Sequence, residues 1–79
     1  MKRQEILDLM RQIQQKQGRS ARLAESDRLR EVGFRSLDFS ELALRVEQRA
    51  GRELNFDAAR LRQIQTVADV LAFFVEATA

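Results

Sequence analysis

The side chains able to do chemistry in this chain are hydroxyls, carboxylates and arginines, because the sequence holds no cysteine and no histidine. The missing thiol removes disulfides, thiolate nucleophiles and cysteine metal sites, and the missing imidazole removes the commonest general base and metal ligand. Among what remains, the stretch GFRSLDFSEL, residues 33–42, places Ser36 where an irregular segment turns into a helix. Serine is a preferred helix N-cap, and Asp38 in the first turn suits the positive end of the helix dipole, so by residue type alone Ser36 is a cap. Asp38 and Glu41 share a helix face at i, i+3, the ordinary placement of a solvated charged pair. The runs KRQ and RLRE, with Arg19 and Arg22 between them, offer cations to phosphates. A net charge of only +2 and the absence of tyrosine and tryptophan for base stacking favour a solvated surface over a nucleic-acid site. There is no glycine-rich phosphate cradle, nucleophile elbow or metal-ligand spacing, so catalysis is not expected.

These residues must be positioned by a small framework. Seventy-nine residues fit one domain, 1–79, which buries only ~60% of the surface its unfolded chain exposes and has no room for a deep two-lobed cleft. With 44% hydrophobic and 33% charged residues, the balance is that of a folded domain and not of a disordered tail. No apolar run approaches the ~20 residues of a membrane span, and the amino terminus lacks the apolar core of a secretory signal. A cytoplasmic monomer without stable membrane insertion is the expectation. The basic excess lies in the front: residues 1–34 carry eight basic and five acidic side chains, and residues 35–79 carry six and seven.

Proline is absent, so glycine and caps delimit the helices. Ile6, Leu9, Met10 and Ile13 follow the i, i+3, i+4, i+7 spacing of one helical face, and this helix is predicted to end near Gly18. Residues 18–35 form a long connection anchored by Leu23, Leu29, Val32 and Phe34, with a short helical turn expected near Ser26 to Arg30. A second helix is predicted from Ser36 to Gly51, with Phe39, Leu42, Ala43, Val46 and Ala50 as its core stripe. At ~100° per residue, Leu37 and Leu44 then point away from the core, flanked by Glu41 and Gln48. Asp57 is placed to cap a short helix, with Phe56 before it packing on Leu61 as a hydrophobic staple. Thr66 and Asp69, at capping-box spacing, open a last helix whose stripe is Val67, Val70, Leu71 and Phe74. No strand alternation competes, and the expected fold is an all-α bundle of three main helices plus one short helix, with a long first connection.

The stretch VGFRSLDFSELALRVEQ resembles the attachment site of the acyl carrier protein family, in which a glycine, two residues, a serine and a leucine lead into a helix continuing with an acidic residue and a Glu-Leu pair. Gly33, Ser36, Leu37, Asp38, Glu41 and Leu42 stand where that pattern wants them. Leu29 in the approach and Thr66, Val67 and Asp69 at the last helix look like further landmarks of the family, so the resemblance covers residues 26–75. It implies that Ser36 carries 4′-phosphopantetheine, donated by coenzyme A through a phosphopantetheinyl transferase, with an acyl group held on the arm as a thioester. It implies acyl-activating and acyl-transferring enzymes as further partners. Arg35, Leu37, Asp38, Glu41, Leu44, Arg45 and Gln48 become the docking surface, and Leu42, Val46, Leu61, Ile64 and Phe74 line a pocket for the acyl chain.

Two departures stand out against the family pattern. Arg35 occupies the position that is usually aspartate, exchanging a carboxylate for a cation where the transferase approaches. Typical members are strongly acidic, whereas here Asp38, Glu41 and Glu47 are accompanied by Arg45 and Arg49. Both point to a dedicated carrier in a lipid, lipopolysaccharide or surface-polysaccharide, or secondary-metabolite pathway. Two other readings use the same residues: a helical protein-interaction module in which Ser36 is only a cap, and a basic bundle that binds nucleic acid.

Overall fold

A computed structural model describes residues 1–79. The chain forms α1 (Arg3–Lys16), α2 (Leu29–Val32), α3 (Ser36–Ala50), α4 (Ala58–Leu61) and α5 (Val67–Ala77), with no strand. The three long helices are those the apolar periodicity predicts, and α2 and α4 are single turns. Helix α1 packs against both α3 and α5. Its inward stripe of Ile6, Leu9, Met10 and Ile13 meets Leu42, Ala43 and Val46 from α3 and Val67, Val70, Leu71, Phe73 and Phe74 from α5, all buried. Leu23 and Phe34 bring the long connection into the same core, while Leu29, Val32 and Phe39 are half-buried at its edge. Phe39, Phe56, Phe73 and Phe74 form a continuous aromatic cluster, with ring centroids between 5.1 and 6.4 Å apart. Edge and tilted contacts of this kind add to simple burial.

The helical turn in the long connection lies at Leu29–Val32, three residues later than the sequence suggests, and the backbone hydrogen bonds give the reason. Residues 25–29 turn and then cross the start of α5: Val67 N donates to Asp27 O at 2.9 Å, Ala68 N to Glu25 O at 2.9 Å, and Leu29 N to Gln65 O at 2.9 Å. Arg28 and Thr66 form an isolated antiparallel bridge. Carbonyls and amides used across this seam are unavailable for helix, so the turn begins only after it.

The caps follow the sequence closely at α4 and α5. Asp57 Oδ1 accepts from Ala59 N at 2.9 Å, and Phe56 beside it turns into the aromatic cluster. At α5, Asp69 N donates to Thr66 Oγ1 at 3.1 Å while Asp69 Oδ2 accepts from both Thr66 N at 3.0 Å and Gln65 N at 2.9 Å. Aspartate therefore closes this capping box as well as glutamate would, and holds an extra amide. The amides of Gln65 and then Thr66 hold the Asp69 carboxyl below the usual aspartate range. A carboxylate with a lowered folded pKa contributes stability that is complete above its unfolded value, about 3.9, and is lost as pH falls through the folded one. Asp69→Ala is thus expected to cost about 1 kcal/mol at neutral pH. Denaturant unfolding followed by circular dichroism should show the gap between the two chains shrinking from pH 7 to pH 3.

Candidate functional site

The site is built where α1, the long connection and α3 meet. Gly33 ends α2 in the left-handed region, at φ +79, and Phe34, buried, follows with its N donating to Leu29 O at 2.9 Å. Arg35 is extended and occupies the N-cap position, so α3 begins at Ser36 itself. This corrects the reading of Ser36 as the cap. The reciprocal bond at this helix end comes from Asp38, whose Oδ2 accepts from Arg35 N at 2.8 Å. The side chain of Ser36 is exposed and takes no part in closing the helix end.

Asp38 is buried to 6% exposure, which corrects its placement in the docking surface and in a solvated pair with Glu41. A carboxylate is retained there because it is paired: Oδ1 lies 2.8 Å from Arg19 Nη2. The contact is an ion pair without an aligned hydrogen bond from Nη2, so its strength is Coulombic. Arg19 Nε in turn donates to Gln14 Oε1 at 3.0 Å, and Gln14, fully buried on α1, donates Nε2 to Val32 O at 2.9 Å and Ser20 O at 3.1 Å. Arg19 is therefore an internal strut, not the solvated cation that its sequence context suggests. Gly33 makes room for it, since a Cβ at that position would lie 2.8 Å from Arg19 Cδ.

Ser36 opens onto a groove of about 890 Å³. Leu29, Phe34, Phe39, Leu61 and Ile64 supply its apolar surface, and Arg28, Arg30 and Arg35 supply cations. Two residues of the expected acyl pocket, Leu61 and Ile64, thus face the groove. The other three, Leu42, Val46 and Phe74, are fully buried in the bundle core. Phe39 joins the two regions, lining the groove while its ring lies 5.3 Å from that of Phe74. Arg28 and Arg30 are groove residues that sequence reasoning passed over as surface. Their RLRE spacing carried no signal of a groove, because only the seam to α5 brings that run beside Ile64 and Gln65.

The outward face of α3 is as its period predicts: Leu37 is 84% and Leu44 60% exposed, with Gln48 and Arg35 exposed as well. Between the leucines, Glu41 accepts from Arg45 Nη2 at 2.7 Å and Nε at 3.1 Å and pairs with Lys16 at 3.3 Å. Arg45 Nη1 also reaches Gln12 at 3.1 Å. The Arg45 hydrogen bonds hold the Glu41 carboxyl below the usual range; desolvation opposes them, and Lys16 adds to the lowering. Glu41 and Arg45 of the expected docking set therefore face one another before they face a partner.

Two stability measurements test this construction. Asp38→Ala leaves Arg19 partly buried without its counter-ion and Arg35 N without its acceptor, and is expected to lose about 2–3 kcal/mol in urea unfolding. Gly33→Ala is expected to lose about 1–2 kcal/mol from the left-handed conformation alone, with more from the clash. In a cycle of Gly33→Ala with Arg19→Ala the double variant should lose less than the sum of the two single losses, because removing the Arg19 stem relieves the clash.

No protein-family model matches the chain, and no curated protein sequence matches it. Among solved structures, an acyl carrier protein from Thermotoga maritima superposes with a TM-score of 0.71 over 98% of this chain and 91% of that one, at 22% identity. The architecture built above from caps, seam and core is therefore the acyl-carrier-protein fold.

Proposed function

We propose that this chain is a carrier of acyl intermediates, held as thioesters on a 4′-phosphopantetheine arm attached to Ser36. The observation that carries the reading is the position of Ser36: exposed, on the first turn of a long helix, and at the mouth of an amphiphilic groove. A serine used as a cap has its oxygen engaged by the helix amides; here Asp38 takes the reciprocal bond and leaves Ser36 outward. The residues present also fit the group. A phosphodiester on Ser36 would meet the positive end of α3 and the neighbouring Arg35, both favourable to its single negative charge. Beyond it, Phe39, Leu61 and Ile64 offer apolar surface along the groove.

In the loading step, Ser36 Oγ bonds to the phosphorus of coenzyme A that carries pantetheine, the bridging phosphoanhydride bond breaks, and adenosine bisphosphate leaves. The serine proton passes to a base that the transferase supplies, since this chain has no histidine to accept it. When bound, the group supplies the thiol that a cysteine-free chain lacks. What this chain does is hold the attachment oxygen clear of the helix end, offer the groove to the acyl chain and present Leu37 and Leu44 to transferase and acyl-transferring enzymes. It performs no catalysis of its own. A need for coenzyme A and a transferase supports work in the cytoplasm, and the chain is read as a monomer. No helix is long and apolar enough to cross a membrane. Arg35 and the internally paired acids of α3 support a dedicated carrier in a lipid, lipopolysaccharide or surface-polysaccharide, or secondary-metabolite pathway.

Intact mass after incubation with coenzyme A and a broad-specificity phosphopantetheinyl transferase tests this. The expected result is a gain of one phosphopantetheine on the parent chain and none on Ser36→Ala. Arg35→Asp should be modified at least as fast by a transferase that prefers acidic carriers. Failure of both parent and Arg35→Asp with several transferases would return the chain to the class of helical interaction modules.

A further inference from the structure

The three carboxylates of α3 are all engaged within the molecule. Asp38 is paired with Arg19, Glu41 with Arg45 and Lys16, and Glu47 Oε2 accepts from Leu54 N at 2.8 Å. The cations around Ser36 are in the opposite condition. Arg28, Arg30 and Arg35 are exposed, line one groove and form no ion pair. Glu31, exposed on α2, is the lone carboxylate between residues 28 and 36, and it does not line the groove. Beside this cationic rim stand Leu37 and Leu44, 84% and 60% exposed.

We infer that the face around Ser36 docks a partner protein whose contact surface is acidic and carries apolar sockets for Leu37 and Leu44. Charge complementarity selects this occupant. A basic partner would find no free carboxylate on α3 and would meet three unpaired arginines, a like-charge contact that disfavours wrong partners. A second copy of this chain in an isologous contact would set the same arginines against one another. The exposed leucines add the apolar core that a purely electrostatic contact lacks. The inference deepens the carrier reading by naming the polarity of its clients, but it concerns the unmodified surface. It is tested on chain that carries no arm, so its failure is separate from a failure to gain mass.

The probes are two synthetic amphipathic helical peptides with identical leucine spacing, one flanked by glutamates and one by lysines, titrated into the ¹⁵N-labelled full chain. The glutamate peptide is expected to give saturable shifts at Arg28, Arg30, Arg35, Leu37 and Leu44, weakening as salt rises, with the lysine peptide binding at least about tenfold more weakly. Reversing the rim with Arg28→Glu, Arg30→Glu and Arg35→Glu should invert that preference, amide dispersion confirming that the variant is folded. Leu37→Ser with Leu44→Ser should weaken both peptides and leave the preference intact. Equal or tighter binding of the lysine peptide, shifts that map elsewhere, or no saturable binding of either peptide would overturn the inference. So would anionic phospholipid vesicles or duplex RNA that shift the same amides more strongly than the glutamate peptide does.

Discussion

The ion pair between Asp38 and Arg19, with Gln14 behind it, fixes the place where α3 begins, and much of the site follows from that. A helix start leaves several backbone amides without partners, and a carboxylate in the first turn normally answers some of them from the surface. Here the carboxylate is drawn inside, where it is tolerated only because a guanidinium stands beside it and an amide is bonded to it. Arg19 can reach it because Gln14 on α1 holds its Nε and because Gly33 has no side chain to block its stem. The same glutamine holds Val32 O, so the end of α2, the start of α3 and the last turn of α1 are joined through one buried amide. Ser36 is then the first residue of the helix and not its cap, and its side chain stays outward at the groove mouth.

The internal use of acids also decides what the surface is. Formal net charge is +2, a value that says little about partners. Pairing redistributes that charge: the acids of α3 are engaged by Arg19, Arg45, Lys16 and the Leu54 amide, while Arg28, Arg30 and Arg35 stand unpaired beside the groove. Counted from composition, α3 carries three acids and two arginines; met by another molecule, it is a leucine-bearing face with a positive margin. Resemblance at the level of motif and fold coexists here with a different electrostatic surface, because the motif residues Asp38 and Glu41 keep their identity while their charge faces inward or sideways.

What the sequence made legible was what depends on neighbours within a turn or two. The apolar stripes of α1, α3 and α5, the outward leucines and the Thr66–Asp69 cap are all local, and periodicity or spacing specifies each. The misplaced features are those set across the chain. Whether Asp38 is solvated depends on Arg19, which is 19 positions away in a loop with no period. The late start of α2 depends on a seam to α5 nearly forty residues on. The resemblance groups Leu42, Val46 and Phe74 with Leu61 and Ile64 in one pocket, yet burial separates them: the first three are fully enclosed in the core and the last two line the groove. Even Ser36 shifts by one place from cap to first helical residue, a difference that only the partner of Asp38 reveals.

From residue 47 to residue 66 no side chain is buried; Leu54, Phe56, Leu61 and Ile64 rest half-covered against the bundle instead. A single helical turn such as α4 has no independent stability, and this whole segment is fastened by its aromatic contact through Phe56 and by short polar ties. The wall of the groove that carries Leu61 and Ile64 is therefore held by less buried surface than the three helices that hold α3 in place, and is expected to open at a lower free-energy cost than global unfolding. On the carrier reading proposed above, a wall held in this way would accommodate guests of unequal length while Ser36 keeps its place at the start of α3.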